Sequence, residues 1–155
     1  MSKFSQAFGK AYEKNRVSIL SRKFEMGNHT FKVRVPNVGE LEAIYNFEIS
    51  PDHEWVENEF KRLTDGLNLT EEGITQTDND ILVHGRSMRE AAQTKMVLQH
   101  RITEYFKLLV PENGEDLSEL TYADIELEFP LSIQLQFIEK INEVISPDYK
   151  EARGK

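Results

Sequence analysis

Residues 120–145 read LTYADIELEFPLSIQLQFIEKINEVI, and whether their second half is strand or helix decides the fold class. Taken alone, LSIQLQF at 131–137 alternates apolar and polar residues with a period of two, as a half-buried strand does. The pattern does not stop there. Leu131, Leu135, Ile138 and Ile145 recur at helical spacing, and Phe137, Ile141 and Val144 widen that stripe. A helix is therefore predicted, with Pro130 suited to its first turn. Just upstream, Thr121 followed by Asp124 marks the capped start of a short helix carrying Tyr122, Ile125, Leu127 and Phe129.

Working outward, the strongest helix is predicted over 87–109. Ser87 and Glu90 suit a capping box, Met88, Ala92, Met96, Ile102, Tyr105, Phe106 and Leu109 trace a stripe, and Pro111 ends it. Leu41, Ile44, Tyr45 and Glu48 follow helical spacing after Gly39. A further helix is expected from Asp52 to Leu63, with Val56, Phe60 and Leu63 on one face. The stretch near 66–83, GLNLTEEGITQTDNDILV, is polar and lacks periodicity, so a mobile loop is expected, with Ile81, Leu82 and Val83 burying at its end.

Residues 17–35 are predicted to form a β-hairpin. Val17, Ile19 and Leu20 begin it, Gly27–Asn28 turns it, and Phe31, Val33 and Val35 alternate with Thr30, Lys32 and Arg34 before Pro36 ends the strand. A lone hairpin is marginal, so its apolar face should rest on helices or on another subunit. Before it, residues 1–16 form a basic aromatic leader in which Phe4, Phe8 and Tyr12 share one helical face. That leader either docks its aromatics on its own core or grips a neighbouring subunit. The expected fold is mainly α, a helical domain with a small N-terminal β-hairpin (α+β). It is one α-rich domain over 17–147 with a polar tail at 148–155.

Charge divides the chain. Residues 1–36 hold eight Lys/Arg against two Asp/Glu, a net of +6, whereas residues 37–155 hold eleven against twenty-five, a net of −14. Such a division suggests two surfaces meeting different partners, or each other within an oligomer. With 39% hydrophobic and 30% charged residues, neither wholesale disorder nor a membrane class fits, and no apolar run approaches the ~18 residues of a span. The first residues lack the apolar segment of a secretory signal. Without cysteine there is no disulfide, thiolate nucleophile or cysteine-based zinc site.

Chemistry-bearing motifs are sparse. There is no P-loop or dinucleotide fingerprint, and His29, His53, His84 and His100 form no metal pair. Asp78 and Asp80 lack the later Gly and Glu of a calcium loop and read as a solvated loop. Catalytic, cofactor-binding and metal-ligating residues are therefore not assigned, and a non-enzymatic protein without cofactors is expected. The interaction candidates fall into three groups. Phe4, Phe8 and Tyr12, with Arg22, Lys23, Lys32 and Arg34, make up the basic side. Met88, Met96, Tyr105 and Phe106 on the long helix, with the 131–145 helix, form a candidate groove for an amphipathic client helix. Glu119, Asp124, Glu126 and Glu128 supply the densest negative charge. The competing reading of the groove residues is that they are core.

Two stretches, FKVRVPNVGELEAI at 31–44 and LTYADIELEFPLSIQLQFIEKI at 120–141, resemble the tail assembly chaperones of tailed bacteriophages, as does the plan of a small, acidic, cysteine-free, largely helical chain. That resemblance implies a non-enzymatic protein of the host cytoplasm. Such a protein binds the helical tape measure protein and helps tail tube subunits assemble around it. The resemblance also implies a longer form made by frameshifting. A firm hairpin departs from the family's largely helical fold. The alternative is a permanent virion subunit of the baseplate, neck or tail. A small nucleic-acid-binding regulator using residues 3–34 is a third reading, which the acidic body opposes. A homo-oligomer is expected, and a membrane partner is not.

Overall fold

A computed structural model describes residues 2–146 and gives the order α1 (Lys3–Ile19), β1 (Ser21–Met26), β2 (His29–Arg34), α2 (Val38–Ile49), α3 (His53–Thr64), β3 (Ile74–Gln76), β4 (Ile81–Val83), β5 (Arg86–Ser87), α4 (Met88–Phe106), α5 (Tyr122–Glu128) and α6 (Leu131–Ile145). The fold is mainly helical, with a two-stranded and a three-stranded antiparallel sheet. The predicted polar tail lies outside the described residues. Two compact units divide the chain. One takes the residues up to Asn37 and those from Thr103 on, and the other takes Val38–Ile102.

In the first unit, α6 is a helix because its apolar pattern runs past Phe137. The period-two reading of LSIQLQF fails for that reason. Its buried face is one side of the predicted stripe, the side of Phe137 and Ile141, and not the side of Leu131 and Leu135. Gln134, Phe137 and Ile141 point inward, while Leu131 and Leu135 are 49% and 44% exposed. The cause is Gln134, which is 1% exposed. Its Nε2 donates to the Phe129 carbonyl at 2.8 Å, and its Oε1 accepts from the Tyr122 hydroxyl at 2.8 Å. These two bonds lock the corner between α5 and α6 and turn α6 so that Phe137 enters the core. There its ring meets four others, Phe24, Phe31, Phe106 and Phe129, at centroid distances of 6.1, 5.1, 4.9 and 5.0 Å. The predicted cap of α5 is present, since the Thr121 and Asp124 side chains each take the other's backbone N–H.

The hairpin turns at Gly27–Asn28, both with positive φ (57° and 66°), as a two-residue turn matched to strand twist requires. Phe24 pairs with Phe31 on the inner face, and Lys23 with Lys32 on the outer. The first strand begins at Ser21, not at residue 17. Val17 and Ile19 belong to the last turns of α1. The register explains this correction. Val35 N–H donates to the Leu20 carbonyl at 2.7 Å, but the N–H of Leu20 turns back to the Arg16 carbonyl at 3.0 Å, so Leu20 closes α1 and is the last residue the ladder reaches. The long helix also stops early, at Phe106 rather than 109. Residues 108–110 leave it to line the edge of β2, with Arg34 N–H to the Leu108 carbonyl and Val110 N–H to the Lys32 carbonyl, both 2.8 Å. Backbone bonds to the open edge of β2 replace one more helical turn.

In the second unit, Asp52 caps α3 by accepting from the Glu54 and Trp55 amides, as its sequence position suggests. Ile44, Val56, Ile81, Ala92 and Ile102 are buried. The stretch expected as a loop near 66–83 instead carries β3 and β4, and β5 completes the sheet. Asp80, read from sequence as solvated, is its anchor. Its carboxylate accepts from the Ile81 amide at 2.7 Å, the Arg89 amide at 3.0 Å and the Ser87 hydroxyl. The Ser87 hydroxyl in turn accepts from Glu90 N–H at 3.0 Å, so the cap at Ser87 is real. Arg89 ties α4 to α3. It lies over the Phe60 ring at 4.1 Å and pairs with Glu57. Buried Glu59 accepts from Arg62 Nη2 at 2.6 Å and Lys95 Nζ at 2.9 Å.

These carboxyls titrate below their ordinary values. The Arg89 hydrogen bond lowers Glu57, and the Arg62 bond lowers Glu59 against the opposing effect of burial. For Asp80, burial pushes upward, but Ser87 and the Arg89 and Ile81 amides outweigh it. A depressed folded-state value means stability is full above the ordinary values of 4.5 for Glu and 3.8 for Asp and is lost as pH falls through the lower folded ones. Urea midpoints should therefore be flat from neutral pH down to that range and drop below it. Glu59→Gln should cost about 1–2 kcal/mol at neutral pH and flatten the acid slope. In the first unit, Phe137→Ala should cost about 3–5 kcal/mol, and Gln134→Ala, which removes the partner of the half-buried Tyr122 hydroxyl and Phe129 carbonyl, about 1–3 kcal/mol by chemical denaturation.

Candidate protein-docking surfaces

The end of α1 passes straight into the hairpin. Leu20 N–H closes the helix on the Arg16 carbonyl at 3.0 Å, and the Ser21 hydroxyl donates to the Val17 carbonyl. Arg22 folds its guanidinium onto the Ile19 and Ser21 carbonyls at 3.2 and 3.0 Å. Between this junction and the 108–110 edge lies a cavity of about 340 Å³ lined by Arg16, Val17, Leu20, Ser21, Arg34 and Val110. Its floor is aliphatic, and two arginines belong to its wall. Such a slot suits one or two apolar side chains of a partner. Arg34, one of the predicted basic candidates, is therefore part of it. Val17, Leu20 and Val110 were not singled out, because the first two read as strand and the third as the end of a helix.

Lys23 and Lys32 stand directly opposite each other on the outer face of the hairpin. Like charges in that position oppose strand pairing. They line a second cavity of about 340 Å³ together with Thr30, Val110, Pro111 and Glu112. Glu112 also meets His29, with Nε2 and Oε1 2.9 Å apart. A carboxylate thus sits beside the lysine pair.

On the leader, Phe4, Phe8 and Tyr12 form a ladder. Phe4 and Phe8 stack at 6.2 Å, and Phe8 and Tyr12 tilt at 5.7 Å. The ladder persists although α1 breaks at Gly9 (φ 77°, ψ −168°). Both phenylalanines are 64% exposed, so of the two readings of the leader, docking on its own core is not what these two rings do. The acidic candidates Glu119, Asp124, Glu126 and Glu128 are exposed. The Thr121 amide and hydroxyl hold the Asp124 carboxyl below its ordinary value.

The four candidates on the long helix do not form one surface offered to a client. Met88 and Met96 are half-buried in the second unit, whereas Tyr105 and Phe106 are buried in the core of the first. The core reading holds for those two aromatics. Missed from sequence was the exposure of three leucines at the α5–α6 corner, Leu127 on α5 and Leu131 and Leu135 one turn apart on α6, with Leu127 91% exposed. Among the described residues there is no group of three or more His, Cys, Asp or Glu side chains able to hold a metal ion, and no helix long and apolar enough to cross a membrane.

The double variant Val17→Asp/Leu20→Asp should reduce the fluorescence of an apolar dye bound to the protein several-fold. It should change Tm by no more than about 4 °C, because both side chains are exposed.

No family model, no curated protein and no solved structure matches this chain.

Proposed function

We propose that the chain is a non-enzymatic docking protein that works as a tail assembly chaperone. It would hold an amphipathic segment of a tape measure or tail tube protein in the host cytoplasm until that segment is assembled. The observation that carries this reading is the slot at the foot of α1, an aliphatic floor walled by Arg16 and Arg34. Two backbone bonds fix Leu20 in its lining, Leu20 N–H to the Arg16 carbonyl and Val35 N–H to the Leu20 carbonyl. A client helix presents an apolar stripe that must be kept from self-association, and a preformed slot covers part of it at little ordering cost. The predicted groove on the 87–109 helix gives way to this slot, because Tyr105 and Phe106 are occupied in the core. The resemblance at 31–44 supports the same reading, since that segment begins in β2 beside the slot.

Co-expression with a tape measure fragment and with a tail tube protein tests it. The wild-type chain should retain at least one of them on affinity capture, and Val17→Asp/Leu20→Asp should lower recovery at least tenfold. Failure of the folded wild-type chain to retain either would sink the role. Stoichiometric presence of the chain in purified particles by mass spectrometry would replace it with the permanent virion subunit.

A further inference from the structure

The first unit carries two exposed apolar surfaces of opposite charge. One is the aromatic ladder Phe4–Phe8–Tyr12, set among Lys3, Lys10, Lys14 and Arg16 with the single acid Glu13. The other is the pair Leu131 and Leu135, one turn apart on α6, with exposed Leu127 near the end of α5 before them; these are called the leucine row. Glu126 and Glu128 flank Leu127, Glu139 lies one turn beyond Leu135, and Lys140 is the one cation of α6. Residues 111–130, which lead into the row, hold seven carboxylates and no Lys or Arg. Within one copy the two surfaces do not cover each other, since Phe4 and Phe8 stay 64% exposed and Leu127 91%.

We infer that the occupant of the leucine row is a second copy of this chain, which lays its α1 ladder across Leu127, Leu131 and Leu135. Apolar side chains at helical spacing on both partners supply the buried area, and lysines meeting glutamates set the orientation and speed the encounter. Net charges of +6 over residues 1–36 and −14 over the remainder make the pairing of unlike ends attractive and that of like ends repulsive. Because donor and acceptor surfaces differ, the contact is heterologous. Each docked copy leaves one free surface of each kind at the ends, so the assembly grows as an open chain or closes as a ring. This assembly uses α1 residues 4–12 and the α5–α6 corner and leaves the slot at Val17 and Leu20 untouched. It therefore stands or falls apart from the client-docking proposal.

Sedimentation velocity on the full chain and two double variants tests it, with circular dichroism as the check on folding. From about 1 to about 100 µM the wild-type mass should rise in steps of one chain, and high salt should reverse the rise. Phe4→Ser/Phe8→Ser and Leu131→Ser/Leu135→Ser should each be monomeric alone. Mixed, they should form a 1:1 dimer and nothing larger, because each supplies the one surface the other lacks. Phe4→Leu/Phe8→Leu should retain at least a third of the wild-type affinity. A wild-type chain that stays monomeric throughout overturns the inference. So does a folded pair of variants that fails to dimerise on mixing, or either double variant assembling like wild type.

Discussion

The contact of Phe137 with four other phenylalanine rings organises the first unit. Phe24 and Phe31 come from the hairpin, Phe106 from the last turn of α4 and Phe129 from the corner before α6. A two-stranded hairpin does not hold alone in water, and this one is held because its aromatic pair lies against a ring on a helix. The extended segment 108–110 follows from the same arrangement. With Phe106 fixed in the cluster, the chain emerges beside β2 and completes the backbone bonds of Lys32 and Arg34.

One turn before Phe137, Gln134 decides which way α6 faces. It is a polar residue in a buried position, and it is tolerated there because both ends of its amide are bonded. Locking that residue inward places Leu131 and Leu135 outward. The exposed leucines are therefore a consequence of a satisfied polar group. The hairpin has a comparable division. Its phenylalanines face the core, and the paired Lys23 and Lys32 face out. An apolar row near acids and an aromatic ladder near bases thus arise from ordinary packing demands, and they are left over for partners.

Local chemistry was legible in the sequence. The Thr121–Asp124 box, the Asp52 cap and the Gly27–Asn28 turn all depend on residues close together in the chain, and each forms where the residue types suggest. The mainly helical class with an N-terminal hairpin was legible for the same reason. What escaped depends on distant partners. Val17 and Ile19 are β-branched, yet they belong to α1, which ends where Leu20 gives its N–H back to the Arg16 carbonyl while its own carbonyl takes the N–H of Val35, fifteen positions on. Asp80 has polar neighbours, and its role appears only when Ser87 and Arg89 return to it. The α6 stripe was legible at Phe137 and Ile141 but not at Leu131 and Leu135, because periodicity identifies an apolar face but does not count hydrogen bonds. The leucine row would have shown itself had Gln134 been weighed against Tyr122. Of the candidate site, Arg34 and the aromatic ladder were legible, and the aliphatic floor of the slot was not.

The central claim is the orientation of α6, with Phe137 and Ile141 inside and Leu135 outside. The chain has no cysteine, so a single one can be placed at will. Native-state thiol labelling of Leu135→Cys and Ile141→Cys, at a concentration low enough to disfavour association, reads that orientation directly. Cys at 135 should react at close to the rate of an unfolded control. Cys at 141, where Ile141 is 0% exposed, should react at least about a hundredfold more slowly, as a site reached only through opening does. Equal rates at the two positions, or faster reaction at 141, would contradict the account.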